Sequence, residues 1–162
     1  MIRVKGTDKF LLFSCDGNSR FSYLDPKIGA EINIAEACRN ISVLGGKAIS
    51  LTDGLNFGDP TKPKGAFELI ETFKGFNSAC EIFDIPIISG NASLYNEGHN
   101  SSINPTPIIG AMGIMSSQTK LISKSFISEG DHVAIIGKSM WGSDLGLSGS
   151  EFQSYFDKSL SG

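Results

Sequence analysis

"EINIAEACRNISVLGGKAISL", residues 31–51, is the stretch from which the fold can be read. Ile34, Ala37, Cys38, Ile41 and Leu44 recur at steps of three and four, the spacing of one stripe along an α-helix. Gly45 and Gly46 stop that helix. "KAISL", 47–51, then has the composition of a short buried strand.

Upstream, Phe10 to Cys15 supplies the preceding strand, which runs into the turn cluster "CDGNSR". Downstream, "TDGLNFGDPTKP" reads as a polar loop, and a second helix covers 66–83 with Leu69, Phe73, Phe76, Cys80 and Phe83 as its core stripe. "IPIIS", 85–89, is a third strand, and "IIGAMGIM", 108–115, a fourth that returns alongside the third. Strand, helix, strand, helix, strand, strand is the order of an α/β protein. From Gln118 the character changes: a polar segment leads into a strand, "HVAIIG" at 132–137, and then a Gly/Ser-rich loop. One strand and a loop cannot form a core. Residues 1–117 therefore read as one domain, and 118–162 as a linker and the truncated start of another.

Composition narrows the functional classes. Among 162 residues 40% are hydrophobic and 19% charged, with 11 Phe and 19 Gly, which suits a globular chain and excludes a disordered or coiled-coil one. A net charge of -3 offers no electrostatic basis for nucleic acid or an anionic membrane. No apolar run approaches the roughly 18 residues of a membrane span. The N-terminus lacks the pattern of a secretory signal. Cys15, Cys38 and Cys80 are odd in number and have no CxxC spacing, so neither a disulfide framework nor a zinc site is expected, and the expected compartment is the cytoplasm.

Strands joined by crossover helices lie parallel, so "CDGNSR", "TDGLNFGDP" and "SGNASLYNE" (89–97), which follow the first three strands, gather on one edge of the sheet. Carboxylates and amide carbonyls are hard oxygen ligands, and glycine lets backbone N–H groups approach phosphate, a combination that suits a nucleotide with magnesium. Singly, each residue has an equal structural explanation. Asp16 and Asp53 can cap a turn, and Asn91 after Gly90 can be a left-handed turn residue. Ser93 has no histidine base in any recognisable relation to it, which argues against a nucleophile. His99 lies in a polar loop and His132 in a strand, and neither is assigned a catalytic role. "GKS" at 137–139 is not a P-loop, because His132 stands where that motif needs glycine. "GLSGS", 146–150, is either a phosphate nest or a plain loop, and Lys62 and Lys64 either reach a phosphate or stay solvated.

"LTDGLNFGDPTKP" (51–63), "SGNASLYNE" and "INPTPIIGAMGIM" (103–115), with "CDGNSRFSYLDP", "AEACRNI" and the closing "GSEF", together resemble phosphoribosylformylglycinamidine synthase (formylglycinamide ribonucleotide amidotransferase), the synthetase of purine biosynthesis. The likeness is collinear from Ser14 to Phe152. It implies a fragment of the synthetase's second half, with an N-terminal domain like that of aminoimidazole ribonucleotide synthetase: a βαβαββ mixed sheet carrying helices on one face. It implies that the other face packs on the first half of the same synthetase, which is missing here, and that an isolated chain would dimerise or aggregate.

The implied activity is an ATP-dependent carbon–nitrogen ligase using ATP, Mg2+, formylglycinamide ribonucleotide and ammonia from a glutaminase subunit or domain. By the resemblance Asp53 and Gly90 contact ATP, Asn91 binds magnesium and Ser93 contacts the ribonucleotide. The catalytic histidine and most carboxylates belong to the first half, so no catalytic residue is assigned and the fragment alone is expected to be inactive. Gly54 and Asp59, where the family commonly has Asn, and Ala92, where it often has Val, depart from the pattern and bear on substrate detail. The alternative is a non-catalytic auxiliary nucleotide-binding or structural module of the same synthetase. "LNFG" and "SLYNE" argue against selenophosphate synthetase or thiamine-phosphate kinase.

Overall fold

The computed structural model describes residues 1–99, 101–116, 122–123, 125–137, 146–158 and 160–161. The elements are β1 (Ile2–Arg3), β2 (Lys9–Asp16), α1 (Ser19–Leu24), α2 (Pro26–Ser42), β3 (Lys47–Asn56), α3 (Pro63–Phe83), β4 (Ile87–Ser93), β5 (Thr106–Ser116) and α4 (Glu151–Asp157). Five strands form one sheet in the order β1-β2-β5-β3-β4. β5 runs antiparallel to both β2 and β3, and β3 is parallel to β4, so β2, β3 and β4 all point the same way. The mixed α/β sheet expected from the sequence is present.

Its strand order differs from the expectation in one respect. β5 does not return alongside the third strand: it inserts between β2 and β3, and β4 is left at the edge. Burial alternates along β5, with Pro107, Ile109, Ala111 and Met115 turned into the core, as a central strand covered on one face requires.

α2 begins at Pro26, earlier than its apolar stripe, because Asp25 Oδ1 accepts the Ile28 N–H at 2.9 Å and proline suits the first turn. Its stripe Ala30, Ile34, Ala37, Cys38 and Ile41 is buried against the sheet. α1, absent from the sequence reading, is nucleated by Asn18, whose Oδ1 accepts the N–H groups of Arg20 and Phe21.

α3 turns a different face inward from the one its large side chains suggest. Phe76 is buried, but Phe73 and Phe83 are 45% and 44% exposed, while Gly65, Glu68, Thr72, Gly75 and Ala79 are buried. α3 packs on α2 so closely that a Cβ at Gly75 would stand 2.9 Å from Ala30 Cβ. Small residues therefore set the contact, and the aromatics rotate outward.

β3 and β4 are longer than expected. "TDGLN" continues β3 to Asn56, and "SGNAS" lies within β4, so Asp53, Gly90, Asn91 and Ser93 are strand residues and not turn residues. The strand expected at 132–137 is not formed: Val133, Ile135 and Ile136 are 76%, 92% and 99% exposed and His132 is exposed. A strand exists by its ladder, and no described segment pairs with this one. "GLSGS" forms a loop that ends in the Ser150 cap of α4, where Ser150 Oγ accepts the Gln153 N–H at 3.1 Å. The 117/118 boundary and residues 138–139 of "GKS" lie outside the described residues. Among those residues no helix is long and apolar enough to cross a membrane.

Candidate functional site

Cross-strand register places the candidate residues. Asp16 and Asp53 both pair with Ile109, from either side of β5, and Asp53 pairs in turn with Gly90. Gly54 then faces Asn91, and Asn56 faces Ser93. The three parallel strand ends thus bring Asp16, Asp53, Gly90, Asn91 and Ser93 to one end of the sheet, as the sequence led one to expect.

Within that edge the side chains divide between two faces. Asp53 lies two residues from both Leu51 and Leu55, which are buried in the core, and shares their face toward the helices. Asn91 and Ser93 share the opposite, open face with Gly54 and Asn56. Only Gly90 keeps the two sets close. It has no side chain, and a Cβ there would lie 2.6 Å from Asp53 Cγ, so the carboxylate occupies that space. Among the described residues β4 is an edge strand, and a ligand lying along it can meet groups from both faces.

The candidate carboxylates and lysines differ in their surroundings. Burial pushes the Asp53 carboxyl above its ordinary value, its own backbone N–H only partly offsetting this. No ion pair to Asp53 is formed among the described residues. Asp16 is already engaged, its Oδ2 accepting the Ser14 hydroxyl at 2.6 Å and its Oδ1 the Asn40 amide at 3.1 Å. Lys62 pairs with Glu97 at 3.4 Å and Asp59 at 3.9 Å, and Lys64 pairs with Glu68 at 3.7 Å, so both lysines have partners near home. His99 and His132 are exposed. Among the described residues no group of three His, Cys, Asp or Glu side chains converges on one metal position.

Two residues that the sequence did not single out hold this end of the sheet together. The Asn96 side-chain amide donates to Phe57 O at 3.0 Å and Ser93 O at 2.9 Å, which ties the exit of β4 to the exit of β3. Glu97 Oε1 accepts the Asp59 N–H at 2.8 Å and the Ser102 hydroxyl at 2.9 Å. These hydrogen bonds, first among them the Asp59 N–H, hold the Glu97 carboxyl below its ordinary value. "SLYNE" displays both residues, but their partners at Phe57 and Asp59 are distant in sequence and carry no local signal.

Residues 1–115 match the family described as AIR synthase related protein, N-terminal domain. The phosphoribosylformylglycinamidine synthase subunit PurL of Alkaliphilus metalliredigens is 43% identical over 138 residues, covering 85% of this chain and 19% of that protein. The PurL subunit of Limosilactobacillus fermentum is 40% identical over 162 residues, covering 100% of this chain and 21% of that protein. The chain thus spans about a fifth of the length of the curated relatives it matches. Among solved structures, Thermotoga maritima PurL complexed with ATP superposes with a TM-score of 0.66 at 28% identity, over 72% of this chain and 20% of that one. The same protein complexed with FGAR gives 0.63 at 26% identity, over 72% of this chain and 19% of that one.

Proposed function

This chain belongs to the AIR synthase related family, with PurL subunits as its curated relatives, and from that premise we propose that it supplies one wall of an ATP-dependent ligase site in purine biosynthesis. The reaction joins ammonia to formylglycinamide ribonucleotide. The substrate's amide oxygen attacks the γ-phosphorus of ATP, the bond to the β–γ bridging oxygen breaks and ADP leaves. Ammonia adds to the activated carbon, and inorganic phosphate departs with the former amide oxygen.

Such a transfer is catalysed by positioning and by neutralising phosphate charge. In this proposal the backbone at Gly90 lies against ATP along the edge of β4, and the Asp53 carboxylate approaches it across the bare Cα. Ser93 on the open face contacts the ribonucleotide. Mg2+, when bound, offsets the charge of the triphosphate, and the Asn91 side-chain oxygen would be one of its ligands. That donor set fits magnesium, which keeps several waters and takes one or two protein oxygens beside substrate phosphates. No catalytic acid or base is assigned to this chain. The first half of the synthetase would supply them, with ammonia delivered from a glutaminase subunit or domain.

The observation that supports this most directly is the Asp53–Gly90 pairing at the end of parallel strands, with Asn91 and Ser93 following on the same edge strand. The apolar open face, with Phe13, Ile49, Ile88 and Ile108 exposed, supports a second half packed over it. The test is ammonia-dependent turnover of the full-length synthetase carrying this sequence. Asp53→Ala and Asn91→Ala should each lower it and raise the KM for ATP. Unchanged turnover and KM in both variants would overturn the proposal.

A further inference from the structure

We infer that Asn96 is a positioning residue for the Ser93 hydroxyl, and through it for the ribonucleotide. This rests on the proposed role of Ser93 as the substrate contact. Three acceptors surround the Asn96 Nδ2: Phe57 O at 3.0 Å, Ser93 O at 2.9 Å and Ser93 Oγ at 3.1 Å. A side-chain amide has two hydrogens. The two carbonyls are the nearer acceptors, and the Ser93 hydroxyl is left to donate to Asn96 Oδ1 at 3.3 Å. The same amide thus grips the serine's carbonyl and orients its hydroxyl.

The grip is anchored outside β4. Asn96 N donates to Phe57 O at 3.1 Å and Asn96 O accepts the Ile103 N–H at 3.1 Å, so the backbone of Asn96 is pinned to both the β3 exit and the strand-to-strand connection. Tyr95, held at a φ of 61° with its N–H on Gly58 O at 3.0 Å, forces the tight turn that brings Asn96 back toward Ser93. A serine at the end of an edge strand would otherwise be free to rotate. Holding its rotamer before the substrate arrives removes an ordering cost from binding.

The experiment is steady-state kinetics of the full-length synthetase with ammonia, for Ser93→Ala, Asn96→Ala and the double variant. Asn96→Ala should raise the KM for formylglycinamide ribonucleotide about tenfold while the KM for ATP moves less than about twofold. The double variant should be no worse than the more damaged single one, since the two residues act as a unit. Asn96→Gln, which keeps the amide but moves it by one methylene, carries the same expectation should Asn96→Ala fail to fold. A normal KM in Asn96→Ala beside a raised one in Ser93→Ala would overturn the inference alone. So would multiplicative effects, or equal changes in both KM values, which mark a merely structural residue. A normal KM in Ser93→Ala would instead remove the substrate role of Ser93 on which the inference stands.

Discussion

The Asp53 carboxylate stands where a side chain on Gly90 would be: a Cβ built there comes within 2.6 Å of Asp53 Cγ. Real Cβ atoms do not approach so closely, so any other residue at position 90 displaces the carboxylate. Gly90→Ala should cost little stability, because position 90 is exposed and the displaced group is the end of a flexible side chain. It should also weaken ATP binding beyond the loss in stability. Denaturant unfolding and nucleotide titration of the full-length protein measure the two separately.

Asp53 itself works against stability. Its folded pKa is raised above the ordinary 3.8 by burial, so over the window from that value upward the native state holds more protons than the unfolded one. Stability should therefore fall as pH rises through the raised value, and the penalty should be complete above it. Asp53→Asn should abolish this decline and give a more stable chain at pH 7 with poorer nucleotide binding. Thermal midpoints across pH 3 to 8 for both proteins test it. If Asp53→Asn instead loses stability while turnover persists, the residue belongs to an auxiliary structural module and not to the ligase site.

Glu97 has the opposite sign. Its folded pKa lies below the ordinary 4.5 because it accepts hydrogen bonds from the Asp59 N–H and the Ser102 hydroxyl. The stability it contributes is complete above that ordinary value and is lost as pH falls through the depressed one. Glu97→Gln should lower stability at neutral and alkaline pH and converge with the wild type at low pH, where the carboxylate is protonated in both states, as thermal midpoints followed by circular dichroism across pH would record.

The open face of the sheet should govern association. Phe13 and Ile88 are 54% and 65% exposed, and with Met112, Thr52 and Ser89 they line an apolar hollow of about 260 Å3. The isolated chain should sediment as a dimer or larger species, and Ile88→Lys should shift it toward monomer. A wild-type chain that remains monomeric at high concentration would contradict this.

Much of the architecture was legible along the chain. The stripe Ile34, Ala37, Cys38, Ile41 has a helical period, Gly45 breaks it at a φ of 92°, and both are local properties. The gathering of polar clusters at one sheet edge followed from crossover helices making β2, β3 and β4 parallel. The lengths of β3 and β4 were not legible, because "TDGLN" and "SGNAS" carry turn chemistry and become strand only through pairing with each other and with β5.

By itself the sequence determined the order β2, α2, β3, α3, β4, β5, the core stripe of α2 and the membership of Asp53, Gly90, Asn91 and Ser93 in one polar rim. Each depends on periodicity and neighbouring residues. Only the tertiary structure decided that β5 divides β2 from β3, that α3 buries Gly75 and Ala79 in preference to Phe73 and Phe83, and that Asp53 and Asn91 point to opposite faces of the sheet. Those outcomes depend on how closely α2 and α3 approach and on which residues lie opposite one another across the strands. Such relations exist only between segments far apart in the chain, and a sequence pattern has no term for them.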